Sequence, residues 1–334
     1  MRLARAVSRR DLLKLTGGAV AAGAWFGVSG CSALGGSQQN GNSQVEKPKL
    51  RVGALPACEL AVLHLAVRDG HFQEQGLDVE IVNAPDGGAA LAAAIGGDYD
   101  LASSSYLPIF RAQARGVAQL KIVSHCASAV PDSLMIMASP GSGVREVQDL
   151  AGKRIAISGA GTISELMVKA VMRAHGVDFD GVQWVPIGFP NMPQALQANE
   201  VDAAQTVEPF TTLSVRNVSA IPVADVATGL LEELPLSGFV ANARFAEENP
   251  RTVAAFQRAM DSAAAAAQDR SKVVELLPEF TKIDPDIAPV ITLPKLESRI
   301  GAADLQRVVR LMRDFGYVDE ELDVAGMVLE PQEG

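Results

Sequence analysis

The stretch Arg154–Val171, RIAISGAGTISELMVKAV, changes period halfway along. Ile155, Ala156 and Ile157 make the short apolar run of a buried strand, and the run stops at Gly159 and Gly161. Beyond them Ile163, Leu166, Met167, Ala170 and Val171 recur at helical spacing, which predicts strand, tight turn and helix in immediate succession. Gly159–Ser164 reads G-x-G-x-x-S. A dinucleotide site would want a third glycine where this chain has Ser164, and an acid about 20 residues further on. The region Val182–Gly188 carries no acid, so a nucleotide is disfavoured. What remains is the physics shared by all such turns. The glycines permit close backbone approach, the free N–H groups near Gly161–Ser164 point outward, and the helix dipole favours an anionic or acceptor-rich ligand end. Thr162 or Ser164 can add a hydroxyl donor. The plainer alternative is a helix start in which Thr162 bonds its own backbone.

Working outward, the same order of elements occurs twice. Strand Leu50–Leu55, helix Glu59–Gln75, strand Asp78–Val82, helix Gly88–Ile95 and strand Tyr99–Ser103 are matched about a hundred residues later. The counterparts are strand Arg154–Ser158, helix Ile163–His175, strand Val182–Ile187, helix Met192–Asn199 and strand Val201–Thr206. Alternating strands and helices predict parallel sheets with crossover connections. The apolar runs Leu134–Ser139 and Leu236–Asn242 bracket the second unit and read as two strands crossing between lobes. The expected organisation is therefore lobe 1 from 49–136 and 239–334, with lobe 2 (137–238) inserted into it. Two further helices are expected at Pro250–Asp269 and Ala303–Phe315. The fold class is α/β: two hinge-linked lobes with a ligand cleft between them.

Ligands of open α/β sheets sit at the carboxyl ends of strands, which directs attention to a few loops. The first strand ends at Pro56, Cys58 and Glu59. Ser103, Ser104 and Ser105 end the third, and their hydroxyls either face the cleft or form a solvated loop. Asp86 before Gly87 and Gly88 is placed to cap a helix. His125 is the one histidine expected on a cleft loop. Glu208 before Pro209 either caps a helix or meets a ligand amine. Arg111 and Lys121 are cations close to these loops but not on them. No G-x-S-x-G, H-E-x-x-H or Walker A pattern occurs, so a binding protein is favoured over an enzyme. Neither a metal site nor a cofactor is expected.

The chain has 334 residues, 48% hydrophobic and 20% charged, a globular balance. Its first thirty residues differ from the rest. Arg9 and Arg10 stand in a twin-arginine export pattern. An apolar run of roughly Leu15–Val28, too short to span a membrane, follows and ends at Val28-Ser29-Gly30-Cys31, which resembles a lipobox. Residues 1–30 are expected to be a signal peptide, Cys31 a lipidated anchor, and 31–48, rich in Gly, Ser, Gln and Asn, a flexible tether. Removing 1–30 takes five cations and Asp11 away and moves the net charge from −10 to −14. So acidic a domain has no basic stripe for nucleic acid. Cys58 and Cys126 remain, either as buried free thiols or as a disulfide.

The blocks Val67–Val82, Gly96–Ser105, Val147–Met167 and Ala195–Phe210 resemble, in order and spacing, those of nitrate/sulfonate/taurine-type solute-binding proteins of ABC transporters. The resemblance covers most of Lys49 to about Arg270. It implies the type II periplasmic-binding-protein-like fold and a monomer that closes on a small solute and delivers it to a membrane permease. By that resemblance Pro56, Cys58 and Glu59, Ser103–Ser105, Gly161, Thr162, Ile163 and Ser164, and Glu208 fall at binding positions, Cys58 being an unusual residue for its place. The expected location is the outer face of the cytoplasmic membrane, and the expected ligand a compact anion or zwitterion such as taurine or an alkanesulfonate. A thiamine-precursor pyrimidine or other vitamin-like ring is the alternative, and an exported lipoprotein enzyme a more distant one.

Overall fold

The structure, a computed structural model, describes residues 45–319 and 321–331. The expected export and lipidation residues Arg9, Arg10 and Cys31 lie outside this range. In chain order the first unit comprises β1 (Lys49–Ala54), α1 (Ala61–Arg68), α2 (His71–Glu74), β2 (Asp78–Asn83), α3 (Gly87–Gly96), β3 (Leu101–Ser105), α4 (Tyr106–Ala114) and β4 (Leu120–Ser128). The second comprises β5 (Leu134–Ala138), β6 (Arg154–Ile157), α5 (Ile163–Ala174), β7 (Gln183–Pro186), α6 (Met192–Gln197), β8 (Ala203–Val207), α7 (Phe210–Val218) and β9 (Ile221–Asp225). The chain then returns through β10 (Pro235–Asn242) to α8 (Ala243–Glu248), α9 (Pro250–Ala267), α10 (Arg270–Thr281), β11 (Lys295–Leu296) and α11 (Ala302–Asp314). Among the described residues no helix is long and apolar enough to cross a membrane.

Two sheets result, ordered β11-β4-β10-β3-β1-β2 and β7-β6-β8-β5-β9. Each holds a parallel triplet, β2-β1-β3 in one and β7-β6-β8 in the other, with equivalent registers such as Leu50 opposite Val79 and Ile155 opposite Trp184. Each triplet is extended by an antiparallel strand, β10 beside β3 and β5 beside β8. The repeat read along the chain is thus a repeat of topology. The sheet changes at 129–133 and 226–234, so the boundaries expected at 136/137 and 238/239 fall inside β5 and β10. Each of these strands belongs to one sheet only.

Strand alternation decides which core each side chain enters. Ile136, Ile155 and Ala203 pack with Leu166, Met167 and Val171 of α5 on one face of the second sheet. Met137, Ala156 and Ala204 pack with Met192 and Leu196 of α6 on the other. In the first sheet Leu50, Val52 and Phe239 meet α1, α9 and α10, while Val240 and Ile122 face Leu107 and Phe110 of α4 and Val308 of α11. Burying one such aliphatic side chain stabilises the fold by about 1.5–3 kcal/mol.

One apolar core is shared by both sheets. α11 packs on α4 and β10 of the first, and the residues after it reach the second. The guanidinium of Arg173 on α5 lies 3.6 Å from the Phe315 ring centre. Lys169 Nζ sits 5.0 Å from that of Tyr317 and donates to its hydroxyl. The expected helix Glu59–Gln75 is broken in two, because Gly70 adopts φ +83° between α1 and α2. Helices α4 and α10 were not foreseen.

Candidate functional site

The loops that leave the parallel strands at their carboxyl ends converge on one cavity of about 290 Å³ between the two sheets. From the first sheet come Leu55–Ala57 and Glu59 after β1, Pro85–Gly88 at the start of α3, and Ser105, Pro108 and Arg111 at β3–α4. From the second come Ser158–Ile163, Gly188–Pro190, Val207 and Phe210. Leu236 and Ser237 at the start of β10 and Leu134 at the start of β5 also line it. Helices α3, α4, α5 and α7 all begin here, so four positive dipole ends face the space. The wall between the polar groups is apolar, built by Leu55, Leu134, Ile163, Met167, Phe189, Phe210 and Leu236.

The turn after β6 is organised by its own side chains. Ser164 is buried, and its hydroxyl accepts from the Ser158 amide at 3.2 Å. Thr162 donates to the Gly159 carbonyl at 2.8 Å and does not cap α5 through its side chain. Gly161 adopts φ +66°, a conformation that side chains rarely take, and a Cβ there would overlap the Arg111 guanidinium. Its amide donates to Glu165 at 2.6 Å, and its carbonyl accepts from Arg111 Nη1 at 3.1 Å. Arg111 belongs to α4, so this bond joins the two units across the cavity.

Three ionisable side chains of the first unit line the cavity: Glu59, Asp86 and Arg111. Glu59 borders the cavity; burial pushes its carboxyl up to about 7, with the neighbouring Ser237 hydroxyl pulling the other way. Arg111 is the one cation among the described lining residues, and its Nε is buried without a hydrogen-bond partner. Asp86 is occupied in capping α3, accepting from the Ala89 amide at 2.8 Å.

Of the residues expected at the site, Pro56, Glu59, Ser105, Gly161, Thr162 and Ile163 line the cavity, and six do not. Ser164 is turned inward, as above. Ser103 and Ser104 are buried within β3, because the strand runs two residues further than its expected end. His125 lies inside β4, not on a loop; its ring nitrogens meet the Tyr106 hydroxyl at 2.8 Å and Ser128 Oγ at 3.0 Å. Burial there, with the charge of Lys295, pulls its pKa down to about 3. It is a neutral core histidine. Glu208 takes the capping role left open above: its carboxylate accepts from the Thr212 amide at 3.1 Å and the Thr212 hydroxyl at 2.8 Å. Burial raises its pKa, and the Thr212 bonds oppose the rise.

Cys58 sits in a turn of 3-10 helix and borders, with Glu208, a separate void of about 20 Å³. Burial and the nearby Glu208 and Glu59 carboxyls push its thiol pKa up. Cys58 and Cys126 are both free, and the Cys126 thiol donates to the Glu59 carbonyl at 3.1 Å. The sequence reading missed Met167, Gln205, Leu236 and Ser237, and it placed Arg111 beside the cleft, not in it. The available signal was a long cation within two turns of a strand end, on a helix hidden by Pro108.

This architecture matches known proteins. An ABC transporter periplasmic binding protein of Brachyspira hyodysenteriae is 25% identical over 243 residues, 65% of this chain and 68% of that one. The alkanesulfonate-binding protein SsuA of Xanthomonas axonopodis pv. citri, bound to MOPS, superposes with a TM-score of 0.73. It is 23% identical, over 85% of this chain and 99% of that one. The periplasmic nitrate-binding protein NrtA of Synechocystis PCC 6803 gives a TM-score of 0.73 at 13% identity, over 85% and 87% of the two chains. These likenesses establish a two-lobed periplasmic-binding-protein fold. The repeated parallel triplets, the cavity between them and a match of residues 58–272 to the NMT1/THI5-like family model place the protein: the chain belongs to the NMT1/THI5-like family.

Proposed function

We propose that the chain is the extracytoplasmic solute-binding component of an ABC importer, closing its two lobes on a small organic anion or zwitterion and presenting it to a membrane permease. The observation that carries this reading is the cavity itself. It is built in equal part by strand-end loops of both sheets, so a bound solute touches both lobes at once. Four helix starts and Arg111 favour an anionic head, while Phe189, Phe210, Met167 and Leu236 favour an apolar body. Nitrate would leave most of about 290 Å³ to water; an alkanesulfonate fills it better. Glu59, whose carboxyl takes or holds a proton near neutrality, is available to an amine or hydroxyl of the solute. In this reading the protein acts as a receptor, without turnover. Arg9, Arg10 and Cys31 export it and tether it by lipid beside its permease, which raises the effective concentration there.

The test is a melting-temperature series on the full chain with MOPS, alkanesulfonates, taurine, nitrate and aminopyrimidines. A solute at about a hundred times its dissociation constant stabilises the fold by roughly 2.7 kcal/mol, a shift of several degrees. The organosulfonates should give that shift and nitrate should not. A shift confined to aminopyrimidines would replace the ligand class, and silence from every compound would sink the receptor reading for these solutes.

A further inference from the structure

Arg111 occupies an unusual position. It is rooted in α4 of the first unit, yet its Nη1 donates to the Gly161 carbonyl of the second. Its side chain lines the cavity, its Nε is buried without a partner, and among the described residues its guanidinium forms no ion pair. The carbonyl it holds is itself fixed from behind. Gly161 N donates to Glu165, Lys169 bonds the same carboxylate, and Lys169 also donates to Tyr317 beyond α11. Gly161 lacks the side chain that would otherwise fill the guanidinium's place. One face of a forked cation is therefore spent on closing the lobes, and the other is left unsatisfied beside the ligand space. A buried guanidinium donor without an acceptor is unfavourable, and an anionic oxygen would relieve it.

We propose that Arg111 is a specificity-determining latch: it takes an anionic oxygen of the solute on the guanidinium edge not spent on Gly161 while Nη1 holds that carbonyl, so that anion capture and lobe closure become one event. This rests on the receptor reading above and adds the residue that links charge to closure. A neutral solute of the same shape would fill the cavity without pairing the guanidinium charge and would favour the closed form less. Lysine, a point charge without the fork, would serve one role at a time.

The test uses the full chain with Cys31→Ser and spin labels at Glu80→Cys and Gln183→Cys, exposed positions on the outer edge strands β2 and β7. Interlabel distances are measured with and without MOPS for the parent, Arg111→Gln and Arg111→Lys. Without solute, Arg111→Gln should shift the distribution away from that of the parent as the Gly161 contact is lost. MOPS should close the parent, while Arg111→Gln should need about 10–100-fold more of it, the loss expected for one charge-assisted bond of about 1.5–3 kcal/mol. Arg111→Lys should fall between the two. Melting temperatures of the variants in the absence of MOPS control for folding. Equal MOPS affinity and equal distances in the parent and Arg111→Gln would overturn the latch while leaving the receptor reading intact. A parent that ignores every organosulfonate would overturn the anion-coupling role together with that reading. The solute-free distances would still decide whether Arg111 holds the lobes.

Discussion

Phe110→Ala should lower the melting temperature by roughly ten degrees. Phe110 is fully buried in the core shared by both sheets, where its ring stacks on Tyr106 with centroids 5.6 Å apart. Truncating a buried phenylalanine costs about 3–5 kcal/mol, because the lost transfer free energy is joined by that of a cavity the neighbours fill only in part. In a chain of this size each kcal/mol moves the melting point by about 2–4 °C. The residue also precedes Arg111 on α4, so solute affinity should fall with stability. A thermal melt showing a loss of less than two or three degrees would mean that α4 is not the wall between core and cavity described here.

The second large effect is a pH profile that one substitution should flatten. The folded chain holds the Glu59 proton up to about pH 7, above the ordinary value of 4.5, because burial disfavours the carboxylate. The folded state therefore binds this proton more tightly than the unfolded state does. That contribution to stability is fully present below about 4.5 and is lost as pH rises through about 7. Glu208, also raised by burial, acts in the same direction. On the acid side the sign reverses. His125, held at about 3, and His64, held at about 4, stay neutral in the fold while the unfolded chain protonates below about 6.5. Stability should therefore peak between about pH 4.5 and 6.5. Glu59→Gln should leave the acid arm unchanged and raise stability at pH 8 by about 1–3 kcal/mol, discounted because the carboxyl borders the open cavity. Chemical denaturation at pH 5 and pH 8 checks this. Parallel losses in wild type and Glu59→Gln between those pH values would show that Glu59 is not the group responsible.

Much of the fold could be read from period alone. The runs at Leu50, Val79, Ile155 and Val182 are short, apolar and followed by turn residues, and their order repeats. The parallel triplets followed from that repetition. What escaped depended on partners remote in sequence. α4 begins at Tyr106 directly after a serine run and contains Pro108, so its start looked like a loop. α10 carries Pro278 within it. The candidate site was half legible for a related reason. Glycine turns and the β1 loop are local features, and their members Pro56, Glu59, Gly161 and Thr162 do reach the cavity. Whether a polar residue is free for a ligand is not a local property. Glu208 is consumed by Thr212, His125 by Tyr106 and Ser128, and Ser164 by its own turn. Arg111 had the opposite fate: α4, hidden by the serine run and Pro108, carries it into the cavity.

The core that α11 closes over both sheets has a thermodynamic meaning. Leu305, Val308, Val309 and Met312 touch one continuous apolar cluster that also contains Leu107 and Phe110 of α4 and Leu166 and Met167 of α5. Neither lobe can lose its packing without exposing part of the other's. The two lobes should therefore unfold as one cooperative unit, giving a single calorimetric peak whose measured and van't Hoff enthalpies agree; two separable peaks would contradict the shared core. Free energy gained anywhere in the cavity is then distributed to every strand of both sheets, and a bound solute protects the amides of α11 as surely as those of the loops that hold it.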